Sequence, residues 1–236
     1  MARADGRAPD QLRPVVLERN ANPYAEGSCL VRFGGTLVHC TASVEVGVPP
    51  FKKGTGLGWV TAEYAMLPRA TVERTNRERN GPGGRSQEIQ RLIGRSLRAA
   101  MGRWDFGEHT IKIDCDVLQA DGGTRTASIT GGCVALADAC AYLAAKTGQA
   151  TPFGQLVAAV SVGVLGDEVL LDLAYVEDRD AGVDANFVMR SPGDLVELQG
   201  TGENGVFSRA QFLQMLDYGE RGIRALFDAQ RQALGW

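Results

Sequence analysis

The first third of the chain alternates hydrophobic and polar residues, a pattern that predicts antiparallel strands. Residues 13–19, 28–33 and 36–46 are rich in Val, Leu and Thr, which favour extended backbone. Gly34-Gly35 separates the last two segments and is typical of a two-residue hairpin turn. We therefore expect the chain to begin with a sheet of β-hairpins.

Three later segments predict long helices. In residues 87–103, hydrophobic side chains recur every three or four positions, which is the helical period. Residues 127–146 carry mostly small side chains. Ser208 precedes a further apolar stripe that ends at Leu234, and serine in that position is typical of a helix N-cap.

The remaining patterned segments predict further strands. Residues 110–119 alternate as a half-buried strand does, and hairpins are expected over 156–174 and 186–199. The sequence contains no linker and no internal repeat. Hairpins interspersed with long helices favour an α+β fold. The predicted fold is a single α+β domain, residues 1–236, of β-hairpins and mixed sheets packed with long helices.

The composition is that of an ordinary soluble protein, with 44% hydrophobic and 22% charged residues. The longest uncharged apolar run, residues 156–166, is too short to span a bilayer, so no membrane partner is expected. The five cysteines lie in apolar segments without metal-ligand spacing. This pattern indicates reduced core thiols and a cytoplasmic protein.

Histidine is scarce, which limits the chemistry available to this chain. Only His39 and His109 occur, each in a strand-like segment, and we interpret both as structural. A zinc site or a triad centred on histidine is therefore not expected. Any catalysis should depend on carboxylates, arginines and hydroxyls.

Charge is unevenly distributed, although the net charge is only −3. Residues 69–103 contain nine arginines and three glutamates, whereas residues 167–203 contain ten acidic residues and two arginines. A basic and an acidic region in one chain suit a polyanionic substrate and a metal ion.

Residues 121–131, which read DGGTRTASITG, carry the strongest chemical signal. Glycines let the backbone approach a ligand closely, Arg125 offers a guanidinium, and the helix expected to begin near Ala127 presents unpaired N–H groups. A phosphate-binding loop is one interpretation, and a Gly-rich turn with capping hydroxyls is the other. No Gly-Lys-Ser/Thr follows the glycines, which excludes a Walker loop. Further hydroxyl donors are expected from Thr124, Thr126, Ser128 and Thr130.

Acidic residues crowd the segment 177–184, which reads EDRDAGVD. Four carboxylates so close together repel one another unless a cation or arginines lie among them. Oxygen ligands on a loop suit Mg²⁺ or Mn²⁺ rather than zinc. The alternative is an acidic surface turn.

Together these motifs resemble the bacterial ribonuclease PH family along the whole chain. The longest shared segments read GWVTAEY at 58–64, RSQEIQRLI at 85–93 and DCDVLQADGGTRTA at 114–127. Shorter ones are DGR at 5–7, LRP at 12–14, and Glu177-Asp178 with Asp184.

The resemblance implies a phosphorolytic 3′→5′ exoribonuclease, also called a tRNA nucleotidyltransferase, which trims tRNA precursors with inorganic phosphate. It implies Mg²⁺, or Mn²⁺, as cofactor and a homohexamer built as a trimer of dimers. The implied phosphate-binding residues are Arg85, Gly123, Thr124, Arg125 and Ser128. The implied catalytic and metal-binding residues are Asp178 and Asp184, and the implied RNA-binding residues are Arg69, Arg74 and Arg77.

The sequence departs from the family pattern at two positions. Arg179 stands where serine is more typical, and Ala185 where methionine is. An inactive RNA-binding ring subunit is the alternative function. It would be expected to lose the Gly-Thr-Arg loop or the acidic pair, and this chain keeps both. A hydrolytic nuclease, the third option, would not need the phosphate loop.

Overall fold

The computed structural model describes residues 3–236, which form two β-sheets and four α-helices. This architecture confirms the predicted α+β class. In chain order the elements are β1 (Val15–Arg19), β2 (Gly27–Phe33), β3 (Thr36–Val46), β4 (Trp59–Met66), α1 (Gly84–Arg98), β5 (His109–Gln119), α2 (Thr124–Thr147), β6 (Val157–Leu165), β7 (Glu168–Leu171), α3 (Tyr175–Asp180), β8 (Val183–Arg190), β9 (Asp194–Thr201) and α4 (Arg209–Leu234).

The first sheet is mixed, with the strand order β1-β2-β3-β5-β4. Neighbours are antiparallel except β4 and β5, which run parallel. The sequence pattern did not identify β4. Parallel partners must be joined by a crossover, here through α1, so their pairing leaves no local hairpin signal. The second sheet is wholly antiparallel, with the order β7-β6-β8-β9.

Helix α2 runs through the centre of the protein, and its small side chains explain how. A Cβ added at Gly131 would lie 2.6 Å from Cγ1 of Val31 on β2, so the helix can approach the sheet only because glycine stands there. By length and composition α2 could cross a membrane, yet 83% of its apolar window is buried. Core helices of soluble proteins have this same combination of length and burial.

One hydrophobic cluster takes in buried residues from both sheets and from helices α1, α2 and α4. All five cysteines are free and buried within it, which confirms their assignment as core thiols. Burial raises the pKa of Cys133 to about 12, so this thiol stays protonated and unreactive. The assignment of residues 1–236 to a single domain stays a prediction.

Several element boundaries differ from those expected. Helix α1 begins at Gly84 and ends at Arg98, and α2 begins at Thr124 rather than near Ala127. Helix α3 was not predicted, because its six residues are too few for a periodic signal. The N-cap at Ser208 is confirmed, since its Oγ accepts a hydrogen bond from the Gln211 N–H at 3.2 Å.

Candidate active site

A cavity of about 640 Å³ lies where the start of α2 meets α3 and β8. The folding of the two sheets around α2 brings together groups that are far apart in sequence. The lining includes Arg85, residues 123–125, Asp178 and Asp184. Neither of the two histidines lines it, as expected if both are structural.

The loop before α2 presents backbone N–H groups to this cavity. Gly122 and Gly123 have φ values of +75° and +66°, which side-chain-bearing residues rarely adopt. A Cβ at Gly122 would also lie 2.4 Å from the Leu173 carbonyl oxygen. The first backbone bond of α2 runs from Ala127 N–H to the Gly123 carbonyl, at 3.0 Å. The N–H groups of Thr124 and Arg125, which line the cavity, are therefore available to an anion, beside the positive end of the helix dipole.

Two arginines complete the basic side of the cavity. The Arg125 side chain is 18% exposed and lies 3.7 Å from Glu88. Arg85 is exposed at the start of α1 and forms no ion pair with any carboxylate in residues 3–236. Loss of solvent raises the pKa of Asp178, and the charges of Arg125 and Arg85 partly offset that rise, so their positive charge reaches across the cavity.

The hydroxyls of the 124–131 segment are placed differently from the prediction. Ser128 is fully buried, and its Oγ donates to the Thr124 carbonyl at 2.8 Å, so its assignment to the phosphate site is corrected. Thr126 and Thr130 are also fully buried and donate to carbonyls of the preceding turn. Because α2 begins at Thr124, these residues lie inside the helix, where such local bonds satisfy hydroxyls. Only Thr124 lines the cavity, and its Oγ1 lies 2.8 Å from the Tyr64 hydroxyl.

The acidic side of the cavity comprises Asp178 on α3 and Asp184 on β8, rather than one loop. Loss of solvent raises the pKa of Asp178. Loss of solvent, followed by the negative charge of Asp178, raises the pKa of Asp184 to about 6. Glu203 lines the same wall and raises both values further. Each carboxylate would be more stable as an anion beside a cation.

Glu177 has a structural role, although it stands beside Asp178. Its carboxylate accepts two hydrogen bonds of 2.7 Å from Arg3 and one of 2.9 Å from the Ala174 N–H. This bidentate contact is of the stronger, charge-assisted type. Glu177 therefore fixes the start of α3 and leaves Asp178 as the carboxylate that this helix directs to the cavity.

Comparison with known proteins identifies the family. The 3′ exoribonuclease family, domain 1, matches residues 11–141, and domain 2 of the same family matches residues 155–222. A protein of Moorella thermoacetica named ribonuclease PH is 56% identical over 238 residues, covering 100% of this chain and 95% of that protein. The chain belongs to the ribonuclease PH family.

Solved structures share this fold. The crystal structure of rice Rrp46 matches with a TM-score of 0.79 and 23% identity, covering 98% of this chain and 100% of that one. The Archaeoglobus fulgidus exosome with RNA bound to the active site matches with a TM-score of 0.77 and 22% identity, covering 95% and 92%. At such identities the likeness concerns the fold alone.

Membership in the ribonuclease PH family confirms the enzyme class predicted from the sequence. The chain is a phosphate-dependent 3′→5′ exoribonuclease and nucleotidyltransferase. The cavity also retains both features that an inactive ring subunit would be expected to lose, namely the Gly-Thr-Arg turn and the acidic pair.

Sequence reasoning missed two buried polar residues in this ribonuclease PH cavity. Ser161 on β6 is 4% exposed, and its Oγ accepts a bond of 3.1 Å from the Leu173 N–H. Asn186, 7% exposed, follows Asp184 on the same face of β8. The period-2 spacing of Asp184 and Asn186 could have indicated Asn186. Ser161 has no such signal, because it lies in a continuous apolar strand.

The arginine-rich segment 68–83 borders the cavity. Thr71, Val72, Glu73 and Thr75 line its edge. We call Arg69, Arg74 and Arg77 the arm arginines; all three are exposed, and none lines the cavity. The structure thus separates the arm arginines from Arg85 and Arg125.

Proposed function

We propose that this enzyme binds inorganic phosphate at the start of α2 and uses it to shorten the 3′ ends of tRNA precursors. The observation that carries the proposal is the facing of two charged walls across one cavity: Arg85, Arg125 and free helix N–H groups on one side, Asp178 and Asp184 on the other. The basic wall suits a small oxyanion.

The chief difficulty of phosphorolysis is to bring one anion against another. Two guanidiniums and the helix N-terminus offset that repulsion. An oxygen of hydrogen phosphate then attacks the terminal phosphorus, the bond to the 3′ oxygen breaks, and that oxygen takes up the proton that the attacking phosphate loses. The products are a nucleoside 5′-diphosphate and an RNA shorter by one nucleotide. Since a phosphoanhydride replaces a phosphodiester, the reverse reaction should also extend RNA.

Asp178 and Asp184 fit a divalent cation, and we propose that they hold Mg²⁺, with Mn²⁺ as a substitute. Their pKa values are raised by lost solvent and, for Asp184, by mutual repulsion, a penalty that a bound cation would remove. Residues 3–236 contain no group of three or more His, Cys, Asp or Glu suited to a metal. Mg²⁺ tolerates few protein ligands because it retains waters and binds phosphate oxygens. When bound, it would neutralise charge on the scissile phosphate and the leaving oxygen.

We propose that the arm arginines bind the body of the tRNA. They are exposed beside the cavity rather than inside it, where contacts to distant phosphates would orient the RNA without affecting the chemistry. We further propose a homohexamer, a trimer of dimers, acting in the cytoplasm. Light scattering tests the hexamer directly.

The test of the function uses a tRNA with extra 3′ nucleotides, incubated with Mg²⁺ in the presence and absence of phosphate. We expect nucleoside diphosphates only when phosphate is present, and inhibition by sulfate, which competes for the same site. Release of monophosphates at equal rates without phosphate would contradict the proposal. Adding nucleoside diphosphates to a trimmed tRNA should lengthen it.

A further inference from the structure

Arg13 is almost completely buried and lies outside the cavity lining, yet its side chain contacts both the loop before α2 and Asp172, in the segment that leads to α3. It is 4% exposed and pairs with Asp172, which is fully buried. The Arg13 Nε and one terminal nitrogen donate to the two carboxylate oxygens of Asp172 at 3.0 and 2.7 Å. The Arg13 backbone N–H adds a third bond, 2.8 Å long.

The same guanidinium also contacts the loop before α2, residues 121–123, which we call the phosphate loop. It donates to the carbonyl oxygen of Asp121 and to that of Gly122, the latter at 3.3 Å. These two residues immediately precede Gly123, which caps α2. Arg13 therefore holds the carbonyl side of the turn whose N–H groups face the cavity.

Asp172 connects this guanidinium to the acidic wall. Its backbone has φ +54°, an unusual conformation for a residue other than glycine, and its N–H donates to the Ser161 carbonyl at 2.7 Å. Helix α3, which carries Asp178, begins three residues later. The phosphate loop and the approach to α3 also touch, since the Tyr175 N–H donates to a carboxylate oxygen of Asp121 at 3.3 Å.

We propose that Arg13 is a positioning residue that sets the phosphate loop against the acidic helix. The proposal rests on the proposed function of the two walls. Only arginine offers a planar fork with donors enough for a carboxylate and two carbonyls at once. Lysine would keep the positive charge beside Asp172 but could not maintain all of these bonds. A displacement of about 1 Å between reacting groups can cost about 10²-fold in rate.

The test compares Arg13→Lys and Arg13→Met with a matched control, Arg19→Met. Arg19 also pairs with an aspartate, since its Nε lies 2.8 Å from both carboxylate oxygens of Asp138, but neither residue lines the cavity. We expect Arg13→Lys to lower kcat/KM for phosphate about 10- to 100-fold, through a higher KM for phosphate and a lower kcat. Arg19→Met should lose thermal stability but keep wild-type phosphate kinetics.

Wild-type phosphate kinetics in Arg13→Lys would overturn the inference. The inference would also be overturned if kcat/KM for phosphate fell in both Arg13→Lys and Arg19→Met in proportion to their loss of thermal stability. If Arg13→Met fails to fold, Arg13→Lys decides the question. A parallel Arg125→Ala variant separates the two proposals. If Arg125→Ala raises the phosphate KM and Arg13→Lys does not, only the positioning role is wrong. If Arg125→Ala has no effect, the phosphate site itself is wrong.

Discussion

Replacing Asp184 by asparagine should stabilise the folded protein at neutral pH while it removes activity. Asparagine keeps the shape of the side chain but not the charge. In the folded protein the pKa of Asp184 rises from 3.8 to about 6, first because solvent is lost and then because Asp178 is close. At about 1.4 kcal/mol per pKa unit, this rise corresponds to a penalty of about 3 kcal/mol for the ionised folded form. Since electrostatic contributions are usually partly relieved by water, we expect a gain of about 1–3 kcal/mol.

The pH dependence of this stability difference follows from proton binding. Between pH 3.8 and about 6 the folded state holds the Asp184 proton that the unfolded state has lost, so wild-type stability falls as pH rises through this window. The asparagine variant does not titrate there. Its advantage should be full above the folded pKa and should disappear towards the unfolded pKa.

Chemical denaturation across this pH range, at one protein concentration, measures the difference. Adding Mg²⁺ should reduce this difference in the free energy of unfolding. The metal stabilises the wild type by mass action, whereas the variant has lost one of the metal's ligands. Turnover should fall by at least ~10²-fold. Asp180→Asn is the matched control, since Asp180 on α3 is exposed and its pKa is lowered by its hydrogen bond to Arg179. An Asp184→Asn variant no more stable than Asp180→Asn at neutral pH would refute the reasoning.

Three further predictions concern the basic wall and the arm. Arg125→Ala should raise the phosphate KM sharply, because the Arg125 charge faces the small anion. RNA affinity in a filter-binding assay should be nearly unchanged, and an equal loss of RNA binding would contradict this prediction. Replacing all arm arginines by Ala should weaken tRNA binding and reduce the salt slope by about 0.7–0.9 per lost phosphate contact, whereas turnover of a very short oligonucleotide should survive. Ser161→Ala should raise the phosphate KM in steady-state kinetics, whereas Ser128→Ala should not, because only Ser161 lines the cavity.

The features that depend on residues close together in the sequence were predicted well. Ile89, Leu92 and Leu97 recur at helical spacing and are all buried on α1. The glycine-rich segment before α2 was interpreted as a loop or turn, and Gly122 and Gly123 lie there with positive φ values. Such features depend on neighbours within about one helical turn or one strand pleat, and those neighbours are visible in the sequence.

Features that depend on partners distant in the chain were not visible. The family resemblance assigned Ser128 to the phosphate site, but the actual start of α2 turns its hydroxyl back to the Thr124 carbonyl. Ser161 lies within an otherwise apolar strand, and it becomes part of the cavity only because β6 lies beside the loop that precedes α2. The contacts of Arg13 join segments more than a hundred residues apart.

The sequence by itself determined the chemical groups: an arginine-rich region, an acidic region, a glycine loop at a helix start, and almost no histidine. It also identified the ribonuclease PH family through motifs along the whole chain. Only the tertiary structure decided which of these groups face one another. The packing of two sheets around α2 places both charged walls on one cavity. The buried Arg13 bonds both to the loop before α2 and to Asp172, in the segment that leads to α3. The physical reason is that burial and sheet pairing are settled by the whole chain, whereas helical and strand periods are settled locally.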